Sequence, residues 1–293
     1  DWANSAHSVI IVTLLPIFFD TVAGYTADSV SSMSTWGYAT SIAMLIVALA
    51  APFLGVFGDI RGMRKKLFSF FMLLGVAACA GMAFTPGMDF TSGPVAAGKV
   101  ATLILVLYIV SVIGFDASAI YYDAFLTDVT TEDRMDKVST MGYGLGYIGG
   151  STIPLLIFLI MNLVGVPMLT CLAFVFGLTA VWWLAFSLPL LKNCEQTSGK
   201  PYEKGDVARS IKGVGTTIKE IIANKPMLIY ILSYFFYIDG VHTVISMATT
   251  YGTNLGLDST GMMLALLLVQ ILGLPFCLLY IKCSEKFGAR TMV

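Results

Sequence analysis

The amino-acid sequence predicts an all-α protein that crosses a membrane several times. Two observations lead to this fold class. The 293-residue chain is 57% hydrophobic and only 12% charged, whereas a soluble domain is roughly 25% charged. Its apolar residues are gathered into eight runs of about 17–25 residues, the length that crosses the hydrocarbon core of a bilayer as a helix. The net charge of −1 gives no indication of a nucleic-acid partner.

The predicted spans follow one another along the whole chain, and the loops between them alternate in charge. The spans cover approximately residues 1–22, 33–57, 67–85, 100–126, 138–162, 166–191, 226–250 and 260–281. Every Lys and Arg except Lys99 falls in the loops 58–66, 127–137, 192–225 and 282–290. Cytoplasmic loops are enriched in Lys and Arg. We therefore expect these loops and the start of the chain to be cytoplasmic, in an integral, multi-pass protein of a bacterial plasma membrane.

The long polar segment 192–225 predicts where the chain divides. Before it, residues 1–191 are predicted to form a complete six-helix transmembrane bundle. After it, residues 226–293 supply the first two helices of a second bundle, which is incomplete, so we expect the sequence to be part of a longer protein. Within this cytoplasmic linker, residues 207–222 carry apolar side chains at helical spacing. That spacing fits either an interfacial amphipathic helix or a disordered segment.

Two charged turns indicate an internal repeat that agrees with this division. Asp59 and Glu285 are each followed by Gly at the third position and Arg at the fifth. Each of these turns comes after the second span of its half. Because transporters are often built from repeated bundles with the binding site between them, the repeat favours a transporter.

Ionisable side chains inside the spans are the candidate functional residues, because a charge at the centre of a bilayer costs about 2.5 kcal/mol or more. Asp116 lies past the midpoint of the fourth span, and Asp123 follows seven residues later on the same helix face. Asp239 lies near the middle of the seventh span, with His242 one turn later. A buried carboxylate can exchange a proton or bind a substrate ammonium group, and an Asp–His pair can relay a proton. Together with Asn4, on the polar face of the first span, these residues are predicted to line a substrate or proton pathway.

Each of these residues also has a structural interpretation. A neighbouring hydroxyl or backbone group could satisfy Asp116. Asp123 could cap its helix or pair with Arg61 or Arg64. His242 could be a hydrogen-bonded core residue without a part in transport.

The basic turn after the second span is predicted to be a cytoplasmic gate. It contains Asp59, Arg61, Gly62 and Arg64. Asp59 is expected to pair with a cation, or to meet the positive end of a helix, in one conformation only. Asp1 lies at the cytoplasmic rim of the first span and is a candidate partner for a basic loop. The alternative is that Asp1 anchors the membrane edge.

Three glycines recur every fourth residue in the fifth span, at Gly142, Gly146 and Gly150. This spacing places three small residues on one helix face, which allows close contact with another helix. Close packing is one interpretation, and a helix that bends during transport is the other.

The basic turn resembles the loop between the second and third helices of the major facilitator superfamily. That signature consists of Gly, three residues, Asp, two residues, Gly and then basic residues. Gly55, Asp59, Gly62, Arg64 and Lys65 fit it here.

Other stretches are similar to a narrower branch of that superfamily, the vacuole-effluxer-like family. They are residues 1–6, 121–126, 142–150 and 234–243, in the first, fourth, fifth and seventh spans. At the fourth-span motif the family more often has Asn where this chain has Asp123. The resemblance implies a twelve-helix fold of two six-helix bundles and secondary transport. It also implies amino-acid efflux, which is described for the vacuolar members.

The predicted function is a secondary active transporter that works by alternating access. It is expected to be coupled to protons or another ion, and to move small solutes such as amino acids out of a compartment. Export of lipids or drugs, and a membrane sensor without transport, are the alternatives. An enzyme is not indicated, because HExxH, GxSxG and P-loop motifs are missing from the sequence. No cofactor or metal is expected, and membrane lipid is the predicted surrounding partner.

Overall fold

The computed structural model of the chain describes residues 1–26, 29–199, 201 and 206–288, and this part contains helices and no strand. The helices are α1 (Ser5–Ala23), α2 (Ser29–Gly58), α3 (Arg64–Met82), α4 (Pro94–Ala124), α5 (Leu126–Val129), α6 (Met135–Gly146), α7 (Ile153–Leu163), α8 (Met168–Asn193), α9 (Asp206–Ala223), α10 (Lys225–Asn254) and α11 (Ser259–Phe287). Between α6 and α7 the fifth span continues as a π-helical segment, Tyr147–Thr152. Two short 3-10 helices cover Thr85–Gly87 and Glu132–Arg134.

Eight helical stretches within the described residues are long and apolar enough to cross a membrane. Each corresponds to one span predicted from the sequence, so the all-α polytopic fold class is confirmed. The fourth span was predicted to begin near Val100 but begins at Pro94, and the eighth was predicted to end near Ile281 but ends at Phe287. Proline at the first turn favours the start of a helix because its missing N–H group needs no partner there. Gly93, at φ 149°, provides the turn before it.

The linker contains a helix, α9, so the helical interpretation of this segment is the one observed. Val214 and Ile221 are half-buried, and α9 lies against α2 and α10. Ile218 and Ile222 are 48% and 59% exposed. The apolar face of the helix is therefore only partly covered by protein.

The core of the structure lies among the first six spans. α3 packs against α4 and α8, and α1 packs against the same two helices. Large side chains that are fully buried fill the space between them, including Leu14, Phe18, Tyr108, Phe176 and Trp183. α10, the first span after the linker, is less buried than the first six spans, since most of its side chains before Thr249 are exposed. α10 contacts α1 and α2, while α11 lies on α6 and the π-helical segment.

Two glycines bring the backbones of α3 and α4 into direct contact. A Cβ atom on Gly114 would lie 2.5 Å from the backbone nitrogen of Gly75. Gly114→Ala is therefore expected to lower the free energy of unfolding by about 1–3 kcal/mol, the usual effect of overpacking a core. Thermal unfolding in detergent measures the change.

Gly98→Ala, on the same helix, is the matched control. A Cβ atom at Gly98 would meet nothing within 4 Å, and alanine favours a helix over glycine. Equal unfolding temperatures for the two variants would contradict the close contact between α3 and α4.

Candidate functional site

A polar cavity of about 170 Å³ lies inside the first six spans, beside the start of α1. Its polar lining comes from the residues just before α1, from α4 and from α8, and consists of Asp1, Asn4, Ser118, Tyr122 and Ser187. The Tyr122 hydroxyl donates a hydrogen bond to the Asp1 carboxylate at 3.0 Å. The structure therefore brings together two residues predicted from the sequence, Asp1 and Asn4. It places three hydroxyl side chains around them that the sequence analysis did not single out.

Aromatic rings form the rest of the cavity wall. Trp2, Phe68, Trp183 and Phe186 all line it. The Trp182 indole N–H donates to the backbone oxygen of Trp2 at 3.0 Å, which fixes the start of the chain against α8. The cavity thus has one carboxylate, several neutral polar groups and an aromatic wall.

His7 lies one turn of α1 beyond Asn4 and is 2% exposed. Its Nε2 atom lies 3.3 Å from the Ser111 hydroxyl. Its ring stacks on Phe115 at a centroid distance of 4.6 Å and lies 5.2 Å from the ring of Trp183. No described residue provides a hydrogen-bond partner for its Nδ1 atom. His7 is therefore buried between one hydroxyl group of α4 and two aromatic rings.

Asp116 carries a buried oxygen, Oδ2, that has no hydrogen-bond partner among the described residues. The structural interpretation of Asp116 requires neighbouring groups to donate hydrogen bonds to its carboxylate. Among the described residues, none donates to Oδ2. Asp123, at the end of α4, is exposed. The cavity beside Asn4 includes neither of these two aspartates.

Asp239 and His242 lie in the middle of α10, and both side chains are exposed. No hydrogen bond joins them to each other in the part of the chain that the structure describes. They are also absent from the lining of the cavity beside Asn4. Their place in a pathway shared with Asp116 stays a prediction.

An ion pair between Arg64 and Asp128 connects the basic turn to α5, the short helix that follows α4. Their side chains are 6% and 0% exposed. Arg64 also donates to the backbone oxygen of Ala124 at 2.9 Å. Asp59 and Arg61 are exposed, and neither forms an ion pair within the described residues. The conformation-dependent pairing of Asp59 therefore stays a prediction, and Asp128 is a residue that the sequence analysis missed.

The small residues of the fifth span face the start of the chain. Cβ atoms added to Gly142, Gly146 and Gly150 would lie 2.7 Å from the Asp1 carboxylate, 2.6 Å from the Ser5 hydroxyl and 2.6 Å from the backbone oxygen of Trp2. This face of the fifth span is therefore used for close packing against the first span. The same span also contacts α11 through its π-helical segment.

Comparison with known proteins agrees with the resemblance seen in the sequence. The family model described as "Vacuole effluxer Atg22 like" matches residues 20–134 and 127–293. The MFS-type transporter YxiO of Bacillus subtilis (strain 168) is 38% identical over 301 aligned positions, which cover 100% of this chain and 68% of the relative. No solved structure matches significantly.

More distant matches come from fungi. Autophagy-related protein 22-1 of Sclerotinia sclerotiorum is 24% identical over 172 positions, which cover 53% of this chain and 29% of the relative. Autophagy-related protein 22-1 of Penicillium rubens is 26% identical over 165 positions, with 53% and 28% covered. The matched regions thus span less than a third of these fungal proteins. With eight apolar helices of spanning length, these relatives support a multi-pass membrane transporter, and the chain belongs to the vacuole effluxer Atg22-like family of the major facilitator superfamily.

Proposed function

We propose that this protein is a proton-coupled secondary active transporter that exports small polar solutes such as amino acids by alternating access. The observation that carries the proposal is a buried carboxylate oxygen of Asp116 for which the described part of the chain offers no hydrogen-bond partner. An isolated charge is expensive in such a place. A carboxyl group there gains from taking up a proton or from binding a cationic group of a substrate.

The size and lining of the cavity beside Asn4 support a small polar solute over an amphiphile. Drug-sized ligands occupy pockets of about 300–1,000 Å³, whereas this cavity measures about 170 Å³. Its five polar side chains offer hydrogen bonds that a lipid tail cannot use. The direction of transport is proposed by analogy with the family, whose description is an effluxer.

The experiment is uptake by the full-length protein in proteoliposomes with an imposed pH gradient. A mixture of radiolabelled amino acids is the probe, and a fluorescent amphiphilic dye is the comparison. We expect amino-acid accumulation that a protonophore abolishes, because the gradient supplies the driving force. Accumulation of the dye alone would favour the alternative of lipid or drug export. Binding of amino acids without any flux would favour a sensor and contradict the proposal.

A further inference from the structure

The first residues of the linker are bonded to the six-span bundle, at Gln196, Thr197 and Ser198. We call these three residues the linker clasp. One oxygen of Asp128 accepts four hydrogen bonds from the clasp. The backbone N–H groups of Thr197 and Ser198 donate at 3.0 Å each, and their hydroxyls donate at 2.8 Å each. The other oxygen of the same carboxylate binds Arg64.

Gln196 joins the clasp to the basic turn. Its side-chain oxygen accepts hydrogen bonds from the backbone N–H groups of Gly62 at 2.8 Å and Arg64 at 3.3 Å. Its side-chain nitrogen donates to the backbone oxygen of Gly58 at 3.0 Å. The last carbonyls of one helix and the first N–H groups of the next have no partners inside their own helices. One glutamine thus provides partners at both ends of the turn between α2 and α3.

The chain leaves the clasp at a position where glycine is required. Gly199 has a φ of +113°, a conformation that L side chains rarely adopt. A Cβ atom there would lie 2.7 Å from the backbone oxygen of Asp59. The linker therefore remains in contact with the basic turn as far as Gly199.

The clasp determines whether the Arg64–Asp128 pair is stable. A buried ion pair is favourable only when further hydrogen bonds satisfy its remaining polar atoms. For Asp128 those bonds come from the linker. For Arg64 the Ser198 hydroxyl is one of the acceptors, at 3.3 Å. Withdrawal of the clasp would leave a buried carboxylate without four of its donors.

We propose that Gln196, Thr197 and Ser198 are positioning residues that hold the basic turn against the end of α4. The first six spans and the linker up to Gly199 then move as one body relative to α10 and α11. The proposal rests on alternating access for its role in transport. Its structural part is testable without a substrate.

The native Cys194 is the reporter for the first experiment. It is half-buried, and it precedes the clasp by two residues. In the full-length protein in nanodiscs, with every other cysteine replaced by Ser, the rate of labelling by a maleimide is measured. The Thr197→Val/Ser198→Ala double variant and Gln196→Ala are expected to raise this rate about tenfold, because each removes two or more of the hydrogen bonds that hold the segment.

Two variants serve as matched controls. Glu195→Gln changes an exposed residue next to the clasp, and the labelling rate is expected to stay within about twofold of the parent, as is usual for a surface substitution. Thr197→Ser keeps the donated hydroxyl, so slow labelling should be retained. An unchanged labelling rate in both the double variant and Gln196→Ala would contradict the proposal that the clasp holds this segment in place.

A distance measurement tests the link to bundle movement. Spin labels at Asp136 and Lys286, both exposed, report the separation of the cytoplasmic ends of α6 and α11. The Thr197→Val/Ser198→Ala variant is expected to shift or broaden this distance distribution, whereas Glu195→Gln should not. Faster labelling with an unchanged distribution would overturn the role in bundle movement. The clasp variants could show both faster labelling and a changed distance distribution while the parent protein fails to transport amino acids. That result would contradict the proposed function but would still support the structural role of the clasp.

Discussion

The Asp116→Asn variant is expected to lose accumulation driven by a pH gradient by about tenfold or more, since we propose that this carboxyl group carries the coupling proton. Asn has the shape of Asp but cannot carry a proton. The Oδ2 atom of Asp116 is buried and without a partner in the described part of the chain, so the neutral side chain should be tolerated. Uptake by proteoliposomes under an imposed gradient measures the loss.

Two further measurements separate coupling from folding and binding. Exchange of labelled for unlabelled substrate, with no gradient, should continue in Asp116→Asn if this residue carries the proton and not the substrate. The unfolding temperature should not fall, because the substitution removes a buried ionisable group. Asp89→Asn is the control, since Asp89 lies exposed in the loop before α4. Gradient-driven accumulation at the parent level in Asp116→Asn would contradict its assignment to coupling.

Replacing Arg64 with Ala is expected to cause the largest loss of stability among single substitutions in the basic turn. Removal of one partner of a buried ion pair costs about 3–5 kcal/mol, because it leaves the other charge buried and unpaired. The side chain of Asp128 is 0% exposed in the intact pair, so Arg64 is the cation that offsets its burial. Thermal unfolding of the purified protein in detergent measures the effect.

Arg61→Ala is the matched control for Arg64→Ala. Arg61 lies three residues earlier in the same turn and is exposed, so its replacement should change stability by less than about 0.5 kcal/mol. The Arg64→Ala/Asp128→Asn double variant should recover part of the lost stability, since it removes both charges and keeps a side-chain oxygen that accepts from the clasp. Similar unfolding temperatures for the Arg61 and Arg64 variants would show that the ion pair does not stabilise the protein.

The fold was largely predictable because it depends on the length and spacing of apolar runs. Eight runs were found in the sequence, and eight spanning helices are present in the described residues. The charge of the loops predicted how the chain is oriented in the membrane, but it did not predict which helices contact one another. The boundary at Pro94 was missed because Lys99 interrupts the apolar residues in the first turns of the helix.

The site was predictable only in part. Asn4 and Asp1 were found because polar residues are conspicuous at the start of an apolar span. Ser118 and Tyr122 were missed because isolated hydroxyls are common in such spans and spacing alone does not show which helix they face.

The Arg64–Asp128 pair and the clasp depend on contacts between residues far apart in the sequence. Thr197 and Ser198 lie 69 and 70 positions from Asp128. No local pattern marks such a contact. Asp239 and His242 show the opposite case, since the sequence draws attention to them and the structure leaves them exposed on α10.

The contact between the fifth span and the start of the chain has a consequence for the mechanics of transport. Gly142, Gly146 and Gly150 leave no room for even a methyl group next to Asp1, Ser5 and Trp2. Any larger side chain at these three positions would therefore push the fifth span away from the start of the chain. We expect these two elements to keep their contact during a transport cycle while other helix contacts change.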